Sequence, residues 1–311
     1  MLRVPQPIPY QGSKRKIAQE ILRFFPPSTS RIVEPFAGSA AISIAAAMGK
    51  RATNFWINDA HQPLITLWKE IIERPHLISE RYGSVWEAQL GKERDYFNEI
   101  RCRFNESADP ADFLYLLARC VKAGVRFNSK GEFNNSPDNR RKGARPEEMS
   151  WRIFTVSKLL KQRALLSSHD YKKVLRACTN EDLVYMDPPY QGVCGTKDNR
   201  YVGRFDHDEF CSSLDELVRR NVMFAVSYDG RTGSKFHGVR LPKTLDLTRV
   251  EICAGRSTQA TLLGRSQTTF ESLYISPSLL SYCEQTRCAV ASSRELNPME
   301  NHKDLFCSIQ T

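Results

Sequence analysis

Short apolar runs alternate with stretches of helical period, most clearly towards the two ends of this chain. Ile32-Val33 leads to Glu34, Ala52 to Ile57 leads to Asn58-Asp59, Leu183 to Met186 leads to Asp187, and Val222 to Val226 leads to Ser227-Tyr228. Runs this short and this continuously apolar read as strands buried on both faces. Between them, Ala40 to Met48 is a helix of small residues, and His61 to Ile72 carries Leu64, Leu67, Trp68, Ile71 and Ile72 on one face. Phe210, Leu214, Leu217 and Val218 mark another helix, with Asp206 and Glu209 spaced as a capping box. Leu245 to Val250 and Thr269 to Ile275 complete the strand candidates. This alternation predicts an α/β fold with a mostly parallel sheet and an antiparallel member near the end.

The middle of the chain breaks the alternation. From Glu73 to Glu106 the pattern weakens into mixed polar helices and loops. Asp112 to Val121 returns to a helix, and Trp151 to Leu166 reads as a helix with a basic outer face. The expected organisation is therefore an α/β domain over 1–73 and 168–311, with 74–167 as a mainly helical insertion beside the ligand cleft.

The run at Leu183 ends in Asp187-Pro188-Pro189-Tyr190. Prolines cannot donate to a continuing ladder, so the chain must leave the sheet at Asp187, at the strand's carboxyl end. That edge is where open α/β sheets hold ligands. An acceptor carboxylate, a fixed backbone and an aromatic face suit a flat, amino-bearing ring. Taken alone, the same residues also make a rigid turn after a strand.

Three other stretches carry chemistry. Tyr10-Gln11-Gly12-Ser13-Lys14 precedes a helical pattern, and such a loop binds an anion or forms an ordinary turn. Glu34-Pro35-Phe36-Ala37-Gly38-Ser39 links a strand to a small-residue helix, and Gly38 permits a tight turn and close backbone approach. Asp59 follows Gly38 by 21 residues, at the end of the next strand, where an acid accepts from ribose hydroxyls. Together the last two argue for an adenosine-containing cofactor. Asp170 sits where it would cap the helix Lys172 to Ala177.

Charge sharpens the picture. Of 45 Lys/Arg and 35 Asp/Glu, 15 basic and 5 acidic residues lie between Arg119 and Arg176, leaving 30 of each elsewhere. The whole +10 surplus falls on one stretch, which indicates a surface for an anionic partner. Within it, Arg126, Asn128, Ser129, Lys130 and Asn134 interleave with Phe127 and Phe133, followed by Arg140, Arg141, Lys142 and Arg145. Such residues pair with base edges and neutralise phosphates, although a solvated basic loop has the same composition. The nine cysteines are scattered without metal-ligand spacing, which points to free thiols in a reducing compartment and to no metal. No segment has the length and apolarity of a membrane span, and Met1 to Tyr10 lacks a secretion signal's apolar core.

In this order, the pieces resemble the DNA adenine-N6 methyltransferases of the Dam-like D12 class, many of which belong to restriction–modification systems. Asp187-Pro188-Pro189-Tyr190 matches that family's catalytic tetrad without departure. Tyr10 to Lys14 resembles its N-terminal cofactor motif, with Ser13 where a second glycine is usual. Glu34 to Ser39 resembles its FxG motif, Asn58-Asp59 its ribose-contacting motif, and Asp170-Tyr171 the acid that meets the cofactor's adenine. Arg126 to Asn134 resembles the segment that helps recognise or clamp DNA. The stretches Arg140 to Arg145 and Gly255 to Gly264 depart from the family pattern, which leaves the recognised DNA sequence open.

The resemblance implies a Rossmann-like methyltransferase sheet with an inserted DNA-recognition domain. It also implies S-adenosylmethionine as methyl donor, S-adenosylhomocysteine as product, and a flipped adenine in double-stranded DNA as acceptor. A cognate restriction endonuclease acting on the same site, a cytoplasmic or nucleoid-associated location, and a monomer or dimer are compatible with it. Cytosine N4, RNA or protein glutamine are alternative acceptors, and a non-catalytic DNA-binding protein on the same fold is the remaining alternative. Serine or asparagine in place of Asp187 is more usual for the N4 and glutamine enzymes.

Overall fold

The computed structural model of the chain describes residues 4–189, 205–233, 235–256 and 268–284. A short helix α1 (Ala18–Leu22) leads into β1 (Thr29–Glu34), α2 (Ala41–Met48), β2 (Ala52–Asn58) and α3 (Gln62–Glu73). Helices α4 (Pro75–Ala88), α5 (Glu93–Ser107), α6 (Pro110–Arg119) and α7 (Pro146–Leu160) follow. The chain then runs through β3 (Ala164–Ser167), α8 (Tyr171–Ala177), β4 (Asp182–Met186), α9 (His207–Arg219), β5 (Met223–Thr232), β6 (Lys235–His237), β7 (Thr248–Arg256) and β8 (Thr268–Ile275).

The strands form one sheet in the order β3-β2-β1-β4-β5-β8-β7, with β6 paired to β5. From β3 to β5 every pairing is parallel, and β8 runs antiparallel to both β5 and β7. The apolar runs are continuous because both faces are covered. Ile32, Leu183 and Tyr185 join the core beneath α1, α2 and α3, while their neighbours Val33, Val184 and Met186 join a second core under α8 and α9. The fold is the mostly parallel α/β sheet that the strand–helix alternation predicts, and the Rossmann-like sheet that the resemblance implies.

Strand order reverses between β1 and β4. The chain proceeds from β1 outward through β2 to β3, then returns to place β4 on the other side of β1. Crevices at such switch points lie beyond the strands' carboxyl ends. Glu34 ends β1 and Asp187 follows β4, so the two motifs are neighbours across this point. Beyond Val226, its last pairing with β4, β5 continues to Thr232. These six further residues carry it beyond the end of β4 while still paired with β8 and, near Thr232, with β6.

The helical middle section shares the sheet's core. Ile78, Tyr82, Phe97, Phe113 and Phe133 belong to the same buried cluster as Ile32 and Leu183. The weak pattern from Glu73 to Glu106 contains two helices, anchored by Ile78, Tyr82 and Val85 and by Tyr96, Phe97, Ile100 and Phe104. The helix expected over Trp151 to Leu166 is instead α7, which starts at Pro146 and stops at Leu160. Pro146 fits its first turn, Glu147 and Glu148 favour its N-terminus, and Gln162 turns left-handed (φ 64°) just past its end. Ala164–Ser167 is therefore not helix but the edge strand β3, paired to β2. Similarly, Lys243–Leu245 is a single tight turn, Asp246 is left-handed, and the strand expected from Leu245 begins at Thr248.

Candidate active site

Asp187 leaves the sheet where the sequence places it, and the first side chain it meets is Lys14. The Lys14 ammonium lies 2.7 and 2.8 Å from the two carboxylate oxygens and also donates to the Gly12 carbonyl at 3.2 Å. Lys14 is buried, with Glu271 of β8 4.0 Å away. Burial opposes its charge, but Asp187 and Glu271 more than offset that and hold its pKa above the usual lysine value. Lys14, expected in a cofactor loop, thus spans from that loop to the acid. Pro188 is buried and Pro189 half-buried. Tyr190 lies outside the described residues.

Glu34 is buried and accepts the Ser43 backbone N–H at 2.7 Å, at the first turn of α2. Burial raises its pKa to about 7, with the Asp187 charge adding to the rise. The turn after it is built for close approach. Gly38 has φ +49°, and a Cβ there would lie 3.1 Å from Cε1 of the Tyr10 ring. Its carbonyl accepts the Trp68 indole N–H at 3.0 Å, and its N–H donates to Asp59 at 3.0 Å. The second Asp59 oxygen accepts the His61 N–H at 3.0 Å, and burial raises its pKa. Asp59 is therefore fixed at the end of β2, facing the Gly38 turn.

Asn58, the partner of Asp59 in the motif, is held by a network of its own. It is fully buried, donates to the carbonyls of Pro35 and His169, and accepts from the Ser167 hydroxyl and the His169 N–H. Those bonds use its capacity to tie the ends of β1, β2 and β3 together. These bonds fix the strand end from which Asp59 projects. Asp170 is exposed and caps α8 by accepting the Lys172 N–H at 2.8 Å. The helix it caps delivers Tyr171, whose ring lies 5.1 Å from that of Phe36, with Phe205 6.2 Å from Phe36 and 6.0 Å from Tyr171. Tyr171 comes from the Asp170-Tyr171 motif, while Phe205 joins the ring cluster with no motif to mark it.

Ser13 bonds the Ser39 hydroxyl at 2.7 Å and so joins two of the motifs. Its φ of −52° is open to any residue, so serine replaces glycine here without strain. Gly12 needs its glycine for φ +84°, and a Cβ there would meet nothing within 4 Å. The open Gly12 turn, the close Gly38–Tyr10 approach, the fixed Asp59 carboxylate and the Phe36–Tyr171 ring pair suit a nucleoside carrying a charged amino-acid tail.

Residues 126–134 form a tight hairpin, with Phe127 bridged to Phe133. Asn128 makes its turn, accepting from the backbone of Lys130 and Glu132 and donating to the Glu132 carboxylate. Asn105 of α5 clamps the hairpin by bonding both backbone groups of Phe133, at 2.8 and 3.2 Å. Arg126, Ser129, Lys130 and Asn134 are exposed on it. Arg140, Arg141, Lys142 and Arg145 are exposed on the following segment, where Lys142 pairs with Glu93 at 2.7 Å and Arg141 lies 3.8 Å from Asp138.

Two contacts connect this surface to the cleft. The Gln11 N–H donates to the Ala123 carbonyl at 3.0 Å, and the His61 ring lies 4.6 Å from the Phe127 ring. Burial lowers the His61 pKa to about 4, so the ring is neutral at physiological pH. Neither contact has a local sequence signal, because each joins segments more than sixty residues apart.

The sequence model of a family described as D12 class N6 adenine-specific DNA methyltransferase matches residues 10–237. The chain is 30% identical to a retron Ec67 DNA adenine methylase of Escherichia coli, over 59% of this chain and 63% of the relative. It is 25% identical to a modification methylase, StsI, of Streptococcus sanguinis, over 72% of this chain and 35% of the relative. It is 26% identical to a DNA adenine methylase of Haemophilus influenzae, over 58% of this chain and 62% of the relative. The aligned region thus spans between about a third and two thirds of these relatives.

Proposed function

Since the chain belongs to the D12 class of N6 adenine-specific DNA methyltransferases, we propose that it methylates adenine N6 in double-stranded DNA, with S-adenosylmethionine as donor and the target base turned out of the duplex. The observation that carries this reading is Asp187, held by Lys14 beside the Glu34–Gly38 turn at the switch point of the sheet.

The residues that would hold S-adenosylmethionine are the Tyr10–Lys14 loop, Glu34, the Phe36–Ser39 turn and Asp59, with Tyr171 and Phe36 at its ring. When bound, it supplies a methyl group already activated on a sulfonium. The chain's work is then to position the acceptor. An exocyclic amino nitrogen is a poor nucleophile because its lone pair is delocalised into the ring. Asp187 accepts one amino hydrogen and the Pro188 carbonyl accepts the other, which favours a pyramidal nitrogen with its lone pair available. Both acceptors also stabilise the positive charge that grows on that nitrogen. Tyr190 supplies the aromatic face that the base stacks on. The proton leaves after transfer, so Asp187 need not be a strong base.

The target nitrogen lies inside a duplex, so the base must flip out to reach Asp187. The hairpin at 126–134 and the basic segment through Arg145 hold the DNA backbone, with an affinity that falls as salt rises. Such an enzyme works on DNA in the cytoplasm, and its restriction–modification relatives make a cognate endonuclease on the same site part of the proposal.

The test is transfer of label from S-adenosylmethionine to unmethylated genomic DNA, followed by nucleoside analysis and mapping. N6-methyladenine in one recurring sequence is the expected result. Label in N4-methylcytosine, or none in DNA, overturns the proposed acceptor.

A further inference from the structure

One ammonium at the centre of the site faces two carboxylates from different strands. Lys14 Nζ bonds both oxygens of Asp187 and lies 4.0 Å from Glu271 Oε2. Asp187 follows β4, whereas Glu271 sits within β8, opposite Gly230 of β5 and Ile252 of β7. Lys14 is only 7% exposed, but the two acids keep 23% and 22%, so both carboxylates border the open crevice and the ammonium lies beneath. Glu34 adds a third acid to the surroundings, and the Tyr185 hydroxyl beneath is engaged by Ser227 at 2.7 Å.

The pair observed here suits the enzyme before DNA arrives. A carboxylate left without its counter-charge beside other acids takes up a proton more readily, and a protonated carboxyl is the weaker hydrogen-bond acceptor. During transfer the same contact works against the chemistry. Positive charge grows on the amino nitrogen, and an ammonium on both oxygens of its acceptor opposes that growth. The ammonium therefore needs somewhere else to go, and Glu271 is the neighbouring acid already within reach of its charge.

We infer that Glu271 is a positioning residue that takes over the Lys14 ammonium as the target amino group engages Asp187. Asp187 then stays ionised before DNA binding and offers its full charge to the amino group during transfer. The inference rests on the reading of Asp187 as acceptor of the adenine amino hydrogen.

The experiment measures steady-state methylation of DNA carrying the mapped site by wild type, Glu271→Gln, Glu271→Asp, Lys14→Met and the Lys14→Met/Glu271→Gln double variant. Thermal unfolding and DNA binding are followed in parallel. Glu271→Gln should lower kcat by about tenfold or more, with KM for both substrates and the unfolding temperature nearly unchanged. Glu271→Asp, which keeps the charge but withdraws it by one methylene, should recover part of kcat. In the Lys14→Met background, Glu271→Gln should cost nothing further, because no ammonium remains to be moved. Wild-type kcat in Glu271→Gln, or the same loss with and without Lys14, overturns the inference. A wild-type enzyme that makes no N6-methyladenine overturns the reading beneath it, and that result is visible before any variant is compared.

Discussion

Replacing Gly38 with alanine tests the geometry of the turn between β1 and α2. Two costs are readable from the structure. Gly38 has φ +49°, and a left-handed backbone costs a residue with a Cβ about 1–2 kcal/mol. The new methyl would also lie 3.1 and 3.2 Å from two carbons of the Tyr10 ring. The backbone cannot rotate to escape, because the Gly38 N–H is held by Asp59 and its carbonyl by Trp68. The ring must retreat by a few tenths of an ångström, which adds about 1 kcal/mol. The sum is about 2–3 kcal/mol, or an unfolding temperature lower by roughly 3–5 °C for a chain of this length. Alanine at Ala40 already tolerates φ 46°, so the backbone part is bearable and the variant should fold. Thermal unfolding of Gly38→Ala, Tyr10→Ala and the double variant separates the two parts. With Tyr10 truncated, Gly38→Ala should cost only the backbone share. In the full-length side chain background, calorimetry should also show S-adenosylmethionine binding weakened by about tenfold or more. A Gly38→Ala protein as stable as wild type, or an equal cost in both backgrounds, would refute the argument.

Three other outcomes can be checked separately. Glu34 has its pKa raised from 4.5 to about 7 by burial, so its stabilising contribution is complete below pH 4.5 and is lost as pH rises through 7; chemical unfolding across pH should show wild type losing roughly 3 kcal/mol more than Glu34→Gln over that interval. Arg126→Ala and Lys130→Ala should each weaken DNA binding and make its salt dependence shallower by about one unit of log–log slope, measured by anisotropy titrations, provided each meets a phosphate. Asn105→Ala releases both backbone bonds on Phe133 and should weaken DNA binding with no change in that slope, because it removes the hairpin's clamp and no charge.

Much of the fold is legible because a parallel sheet covered on both faces demands continuous apolar runs, and Ile32-Val33 and Leu183 to Met186 supply them. The exit at Asp187 is legible because two prolines leave the strand no alternative. Edges are harder. Ala164 to Ser167 is short, follows directly on α7, and presents Leu165-Leu166 as a continuation of its apolar pattern, so only the pairing with β2 reveals a strand. The site divides in the same way. A motif marks which segments converge but not what each side chain does on arrival. Asn58 and Asp59 look like one unit in sequence, yet one is spent on three strand ends and the other faces the turn. Lys14 and Asp187 belong to separate motifs, 173 residues apart, and form one ion pair.

Five consecutive residues at the start of the chain bring these parts into one mechanical unit. Tyr10 packs on the Gly38 turn, the Gln11 N–H holds the Ala123 carbonyl at the root of the basic hairpin, and the Gly12 carbonyl steadies the Lys14 ammonium. Ser13 bonds Ser39, and Lys14 holds Asp187. Extended chain this short spans less than about 18 Å, so none of the five contacts moves far without dragging the next. Lys122 and Ala123, where Gln11 attaches, both sit at positive φ without being glycine (57° and 50°). That backbone is held only because its surroundings insist on it, as strained turns at functional sites are. A displacement at Ala123 is therefore passed through Gln11 to the same loop that carries Lys14.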